Sequence, residues 1–141
     1  MIRKAVGSDF NDYYRLICEL EEQVFEKTSF HELYDRILNH PMYELYVYEE
    51  NEQVIGIMTL FFSEKLHHNG LTGEILELDI QNGFRGRGIG REMLKAALTA
   101  AEDRHALELE LSSSMRRTDA HRFYENSGFR KDHYNFTLPL R

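Results

Sequence analysis

The sequence predicts a mixed α/β domain, and three observations carry that reading. Runs rich in β-branched and aromatic residues fill most of the stretch from residue 43 to residue 80. Several other segments repeat apolar residues at spacings of three and four, the helical period. Between the two patterns lies "LELDIQNGFRGRGIGREML", Leu76 to Leu94, where a strand-like alternation enters a turn with three glycines and leaves as a helix. The expected order is β-α-α-β-β-β-α-β-α-β over one domain, residues 1–141.

"IRKAV" opens as a short strand, and Ser8 and Asp9 offer caps for a first helix. Phe10, Tyr13, Ile17, Leu20 and Val24 share a face of that helix. Ser29 with Glu32 has capping-box spacing, so a second helix is predicted there, carrying Phe30, Leu33, Tyr34, Ile37 and Leu38 and stopping before Pro41. "YELYVYEE" and "QVIGIMTLFF" form a hairpin across a polar turn. A loop, "SEKLHHNGL", then leads to the strand "TGEILELDI". In that strand Leu76, Leu78 and Ile80 are expected on one side of the sheet, with Glu77 and Asp79 on the other. After the glycines, Ile89, Met93, Ala96, Ala97 and Ala100 line a helix. "ALELELS" is the next strand, and "RTDAHRFYENSGF" a short helix ended by Gly128. "YNFTLPL" is expected as a last strand, at an edge because Pro139 has no N–H to donate.

Bulk properties narrow the function. The 141 residues carry a formal net charge of −7, which argues against a general nucleic-acid binder. Any anion site must be built locally. Cys18 is the single cysteine, so internal disulfides and cysteine zinc clusters are excluded, as suits a reducing cytoplasm. No apolar run has signal-peptide or membrane-span length, and a cytoplasmic, membrane-free protein is expected.

The glycine turn asks for an anion. The first turn of a helix has amides with no internal acceptor and a dipole that favours negative charge. Glycine lets a phosphate reach that backbone, and Arg85, Arg87 and Arg91 add charge around it. A pyrophosphate fits this description. The dinucleotide fingerprint needs G-x-G-x-x-G early in a β-α-β unit, and this turn reads G-x-G-x-G in mid-chain. A P-loop would need Lys-Ser/Thr after its last glycine, where Ile or Arg stands here. A tight turn that merely needs glycine is the bland alternative.

Arg85-Gly86-Arg87-Gly88-Ile89-Gly90 has the R-x-x-G-x-G spacing and resembles the pyrophosphate loop of the GCN5-related N-acetyltransferases. "AHRFYENSGFRK" resembles their second signature, a helix carrying a tyrosine before Gly-Phe. The resemblance implies a central, mostly antiparallel sheet with a parallel splayed pair and about four flanking helices. It implies acetyl-CoA as co-substrate, its pantetheine arm on the backbone of Leu78, Asp79 and Ile80, with the N–H of Ile80 on the thioester carbonyl. Its diphosphate would rest on the amides of Arg85, Gly86, Arg87, Gly88, Ile89, Gly90 and Arg91. Tyr124 matches the position that protonates the departing sulfur, and a neutral phenol can do so. A packed aromatic beside Phe123 is the alternative for it. Glu77 is the candidate base, with Asp79 ranked behind it because it sits nearer the loop. An ordinary carboxylate is a poor base for an ammonium, so a raised pKa or a water relay would be needed.

"LICELEEQVF", "LHHNGLTGEILEL" and "RTDAHRFYENSGF…HYNFT" are similar to the aminoalkylphosphonate N-acetyltransferases. That likeness implies a small anionic amine as acceptor, which His67, His68, Arg117, His121 and His133 are candidates to meet. The superfamily often has asparagine where Arg117 stands, so an asparagine-held water relay is not expected. The same family suggests a divalent metal bridging to substrate; a structural metal site is not expected. Polyamines, aminoglycosides and protein N-termini remain alternative acceptors. A non-catalytic acyl-CoA-binding module and a purely structural partner protein remain alternative classes, and a homodimer is possible.

Overall fold

The computed structural model describes all 141 residues. Its elements are β1 Ile2–Lys4, α1 Phe10–Glu21, α2 Lys27–Leu38, β2 Tyr43–Glu50, β3 Gln53–Lys65, β4 Gly70–Ile80, α3 Ile89–Asp103, β5 Leu109–Leu111 and α4 Thr118–Asn126. One-turn 3-10 helices sit at Gly7–Asp9 and Leu66–His68. The strands lie in sequence order, β1 to β5, all antiparallel except the parallel pair β4–β5. That pair holds only through Gly73–Ile75 against Leu109–Leu111. Beyond Ile75 the outer edge of β4 has no strand beside it.

Each face of the sheet buries its own core. Phe10, Tyr13, Leu16 and Ile17 of α1, with Tyr34 of α2, pack on Leu45, Val47, Val54 and Ile57. On the other face Met93, Leu94, Ala97, Ala100 and Ala101 of α3 cover Met58, Leu60, Phe62 and Ile75. The alanines let α3 lie close to the sheet. Side chains such as Leu16, Phe62 and Met93 are fully buried, a contribution of about 1.5–3 kcal/mol each. No helix is long and apolar enough to cross a membrane.

Several expectations are corrected. The capping roles move: no side chain caps α1, and α2 starts at Lys27 under Glu26, whose carboxylate accepts from Thr28 N and Ser29 N. A carboxylate is as good an acceptor as the Ser29 hydroxyl, and its charge suits the helix dipole. Helix α1 ends at Glu21 because Glu22 turns left-handed (φ 51°), which leaves Val24 85% exposed instead of on the apolar face. The loop predicted over residues 63–71 shrinks to a turn, since β3 runs to Lys65 and β4 begins at Gly70.

The alternation in β4 also breaks. Thr59 faces Glu77 but Leu60 faces Ile75, so Leu76 is the extra residue of a β-bulge. Ile75, not Leu76, therefore joins Leu78 and Ile80 on the α3 side, and Leu76 is exposed. Glu77 and Asp79 keep the opposite face, toward α1. The last strand does not form within this chain. Residues 129–141 have no regular structure, and Tyr134, Phe136, Leu138 and Leu140 are 82–91% exposed. A strand needs a ladder partner and a face to bury, and the segment meets neither in its own molecule.

Candidate active site

The glycine turn is built as an open cradle. Gly83, Gly86 and Gly88 all take positive φ, and a Cβ on Gly86 or Gly88 would meet open space. Gly88 is the N-cap of α3 in the left-handed region, which a side chain would disfavour. None of the seven consecutive amides from Arg85 to Arg91 donates to a group of this chain. The first turn of a 15-residue helix points into the same space.

The arginines divide their work. Arg85 is turned inward: its Nε donates to Ile80 O at 2.8 Å, and its Nη2 lies 3.2 Å from Asp79 Oδ1 and 3.5 Å from Glu19 Oε1. Its backbone, not its guanidinium, faces the cradle. Arg87 pairs with Glu50 at 2.8 Å and lies over the Phe84 ring. Arg91 is exposed and unpaired at the first turn of α3. Gly90 differs from the other glycines: its Cβ would lie 3.2 Å from Phe123 Cζ, so its bareness admits a ring of α4 rather than a ligand.

Beside the cradle runs the open edge of β4. Gln81 N donates to Ile55 O of the β3 side. In an antiparallel ladder the amides alternate, so those of Glu77 and Asp79 face β3 and those of Leu78 and Ile80 face outward. Leu78 and Ile80 thus offer backbone groups along a slot that β5 leaves open.

Glu77 and Asp79 close the opposite side. Both have a buried carboxylate oxygen, Oε2 and Oδ2, without any hydrogen-bond partner. Burial pushes the Glu77 carboxyl above the usual range, helped by Glu21 and Glu74, while the neighbouring Thr59 hydroxyl works the other way. The Thr59 hydroxyl is itself held by Tyr13 Oη at 2.7 Å. Asp79 is pushed up to about 6, because burial and the Glu19 charge outweigh Arg85. The sequence ranks Asp79 behind Glu77; the strand pattern does not show that Glu19 of α1 lies beside Asp79.

Tyr124 stands on α4, packed against Phe123 and Phe129 with its hydroxyl unbonded. Burial raises its pKa, Arg117 lowers it and Asp79 raises it, so it stays a neutral donor at pH 7. The helix ends in a Schellman motif: Phe129 N donates to Tyr124 O and Gly128 N to Glu125 O, with Gly128 at φ 99°. Arg117 caps α4 near Asp79 and Tyr124, and its Nη2 donates to Leu20 O at 2.6 Å, tying α4 to the end of α1.

The histidines scatter. His67 and His68 occupy the turn at the far end of the β3–β4 hairpin, nine strand residues from Asp79, or roughly 30 Å. His68 Nε2 lies 3.1 Å from Glu108 there. His121 bonds to Ser114 O and helps shape the loop before α4, and His133 is exposed beside Asp132. No three His, Cys, Asp or Glu side chains come close enough to share a metal ion. The donors present do not fit a resident divalent metal.

The family model described as the acetyltransferase (GNAT) family matches residues 10–129. The chain belongs to that family. It is 34% identical over 139 residues to an aminoalkylphosphonate N-acetyltransferase of Salmonella typhimurium, covering 99% of this chain and 90% of the relative. Among solved structures it superposes on a transcriptional regulator from Bacillus halodurans with TM-score 0.92 at 24% identity over 99% of both chains. A ribosomal-protein-alanine N-acetyltransferase from Brucella melitensis gives TM-score 0.82 at 14% identity, again over 99% of both chains. These likenesses make the chain an N-acetyltransferase of the GNAT fold.

Proposed function

We propose that this acetyltransferase moves the acetyl group of acetyl-CoA to the primary amine of a small anionic molecule, of the aminoalkylphosphonate class. The observation that carries it is the run of seven undonated amides, Arg85 to Arg91, opening onto the free edge of β4. A diphosphate satisfies the amides, and Arg91 adds charge from the side. The pantetheine arm takes the outward backbone groups of Leu78 and Ile80 as an added strand would, and Ile80 N–H polarises the thioester carbonyl.

The acceptor arrives as an ammonium and must lose a proton before its nitrogen can attack. Against an amine near 10, an ordinary aspartate faces about 8 kcal/mol of unfavourable proton transfer, and a carboxylate at about 6 faces about 5 kcal/mol. Asp79 is therefore the better base, with Glu77 behind it and water between. The nitrogen bonds to the acetyl carbon, the C–S bond breaks, Tyr124 gives its phenolic proton to the departing thiolate, and the second proton of the nitrogen, lost as the amide forms, restores the phenol through water. Holding both reactants in one slot supplies much of the remaining acceleration.

The anionic acceptor rests on the Salmonella relative and on Arg117, whose Nε and Nη1 make no bond within the chain. The nearby carboxylates of Glu19, Glu21, Glu77 and Asp79 favour a cation instead, which keeps a polyamine as the second reading. Release of free CoA from acetyl-CoA, followed with 2-aminoethylphosphonate and with spermidine, separates them. Faster turnover of the aminophosphonate supports the first reading; equal or reversed rates remove it while leaving the acetyltransferase intact.

A further inference from the structure

Thr59 carries the one polar side chain in the buried run Val54 to Leu60 of β3. A valine has the same shape and suits such a strand without burying a hydroxyl. The Thr59 hydroxyl lies 2.7 Å from Tyr13 Oη, and both residues are buried. Tyr13 belongs to the α1 side of the core, and its phenol makes no other hydrogen bond. The neighbouring phenol, Tyr34, donates to Val6 O at 2.8 Å and is no acceptor for it.

Burial decides which way the bond between Tyr13 and Thr59 runs. A buried O–H needs an acceptor, so the Tyr13 proton goes to Thr59 Oγ1. In the reverse sense Thr59 would donate to Tyr13 and strand the phenolic proton in the core. A threonine has a single proton, and Thr59 is thereby left to give it elsewhere. Across the β3–β4 pair that place is Glu77. The bulge at Leu76 sets Glu77 opposite Thr59 on the α1 side of the sheet, where facing Cβ atoms stand about 5 Å apart.

We propose that Tyr13 and Thr59 are positioning residues for the reaction: Tyr13 donates to Thr59, Thr59 donates to Glu77, and the pair holds Glu77 as an acceptor for the water between it and Asp79. This rests on the water relay of the proposed function. Glu77 needs such a donor. Its Oε2 has no hydrogen-bond partner within the protein. Glu21 of α1 and Glu74 of β4 join burial in opposing its charged form, and the Thr59 hydroxyl favours it. The arginines of the site, Arg85 and Arg117, bear on Asp79 instead. From α2 only Tyr34 comes near, and it bears on Tyr13. Two hydroxyls in the core thus do for Glu77 what an arginine does for its neighbour.

NMR titration of the Glu77 carboxyl in the unliganded full chain tests the hydroxyl pair without any reaction. Thr59→Val keeps the shape and removes the donor, and it should move the Glu77 midpoint up by about one pH unit, the worth of a hydrogen bond to a charged group. Tyr13→Phe should move it the same way by less, and Thr59→Ser should bring it back. With acetyl-CoA and 2-aminoethylphosphonate at pH 7, Thr59→Val should lower kcat about 3- to 10-fold and shift the acid limb of the rate profile upward, with KM for acetyl-CoA unchanged. Thr59→Ser should restore both. A Glu77 midpoint that Thr59→Val leaves in place overturns the proposal, as does an active Thr59→Val enzyme whose rate profile does not move. If Thr59→Val does not fold, Tyr13→Phe decides on the same two readouts. An unmutated protein that releases no CoA with any amine removes the proposed function, and the titration then decides the Tyr13–Thr59–Glu77 series by itself.

Discussion

Asp9 and Asp79 are the same residue at the same 5% exposure, each held by one arginine, yet they sit on opposite sides of the ordinary aspartate pKa. Asp9 is saturated. Arg3 grips both its oxygens at 2.8 and 3.0 Å, and Val6 N donates at 2.8 Å. Those bonds to the charged form outweigh its burial, and its pKa falls. Asp79 has one contact at 3.2 Å, an oxygen with no partner and Glu19 close by, so burial wins and its pKa rises. Burial beside an arginine does not by itself decide a carboxylate's role; the number of donors that reach it does. The first aspartate fastens β1 to the turn before α1, and the second is left poised at the mouth of a slot.

The contrast can be broken at either end. Asp79→Asn should lower kcat/KM for amine acetylation by about 10²–10⁴-fold. In the unmutated protein the rate should climb with pH through about 6 as Asp79 loses its proton, and steady-state profiles should show that limb vanish in the variant. A variant that keeps both rate and limb would dismiss Asp79 as the base.

Asp9→Ala should do the reverse. It removes one partner of a nearly buried ion pair and should cost about 3–5 kcal/mol in denaturant unfolding, with the rate per folded molecule unchanged. Next in size is the stability of Asp79→Asn itself. The folded pKa lies above the unfolded one, so Asp79 stabilises the fold below about pH 4 and penalises it as pH rises through about 6. The variant should therefore be more stable at pH 7.5, by up to about 3 kcal/mol, and the gain should disappear at pH 4.

Tyr124→Phe keeps the ring packing and removes only the proton donor. We expect kcat to fall about 10²-fold with little change in melting temperature, and the loss to shrink with a thioester whose thiol is more acidic. An unchanged kcat would reduce Tyr124 to a packed aromatic. The smallest effect should come from Gly90→Ala, where the new methyl meets Phe123 Cζ at 3.2 Å; a loss of about 1 kcal/mol in thermal unfolding is expected.

Sequence exposed the parts of this molecule whose physics is local. The bare backbone of Gly86 and Gly88 ahead of a helix is legible without knowing what surrounds it, whereas the role of Gly90 depends on Phe123 of another helix; Gly128 marks a helix end for equally local reasons. What depends on another element stayed hidden. The bulge at Leu76 is decided by the pairing with Thr59 and Leu60, so strict alternation misplaced Leu76 and missed Ile75. The inward turn of Arg85 needs Asp79 and Glu19 to be seen beside it. His67 and His68 looked close to Glu77 in the chain, but an extended strand turns ten residues into most of the length of the sheet. "YNFTLPL" has the pattern of a strand and is unpaired here, because a pattern specifies a face and not what covers it.

The missing β-carbon at Gly90 lets the Phe123 ring rest on the first turn of α3, one residue before Tyr124. Helices α3 and α4 therefore meet at Gly90, and Phe123, Tyr124 and Phe129 also pack on the core that α3 helps to build. On the proposed reading, a shift of α3 as it takes up the diphosphate of acetyl-CoA would reach Tyr124 through this contact.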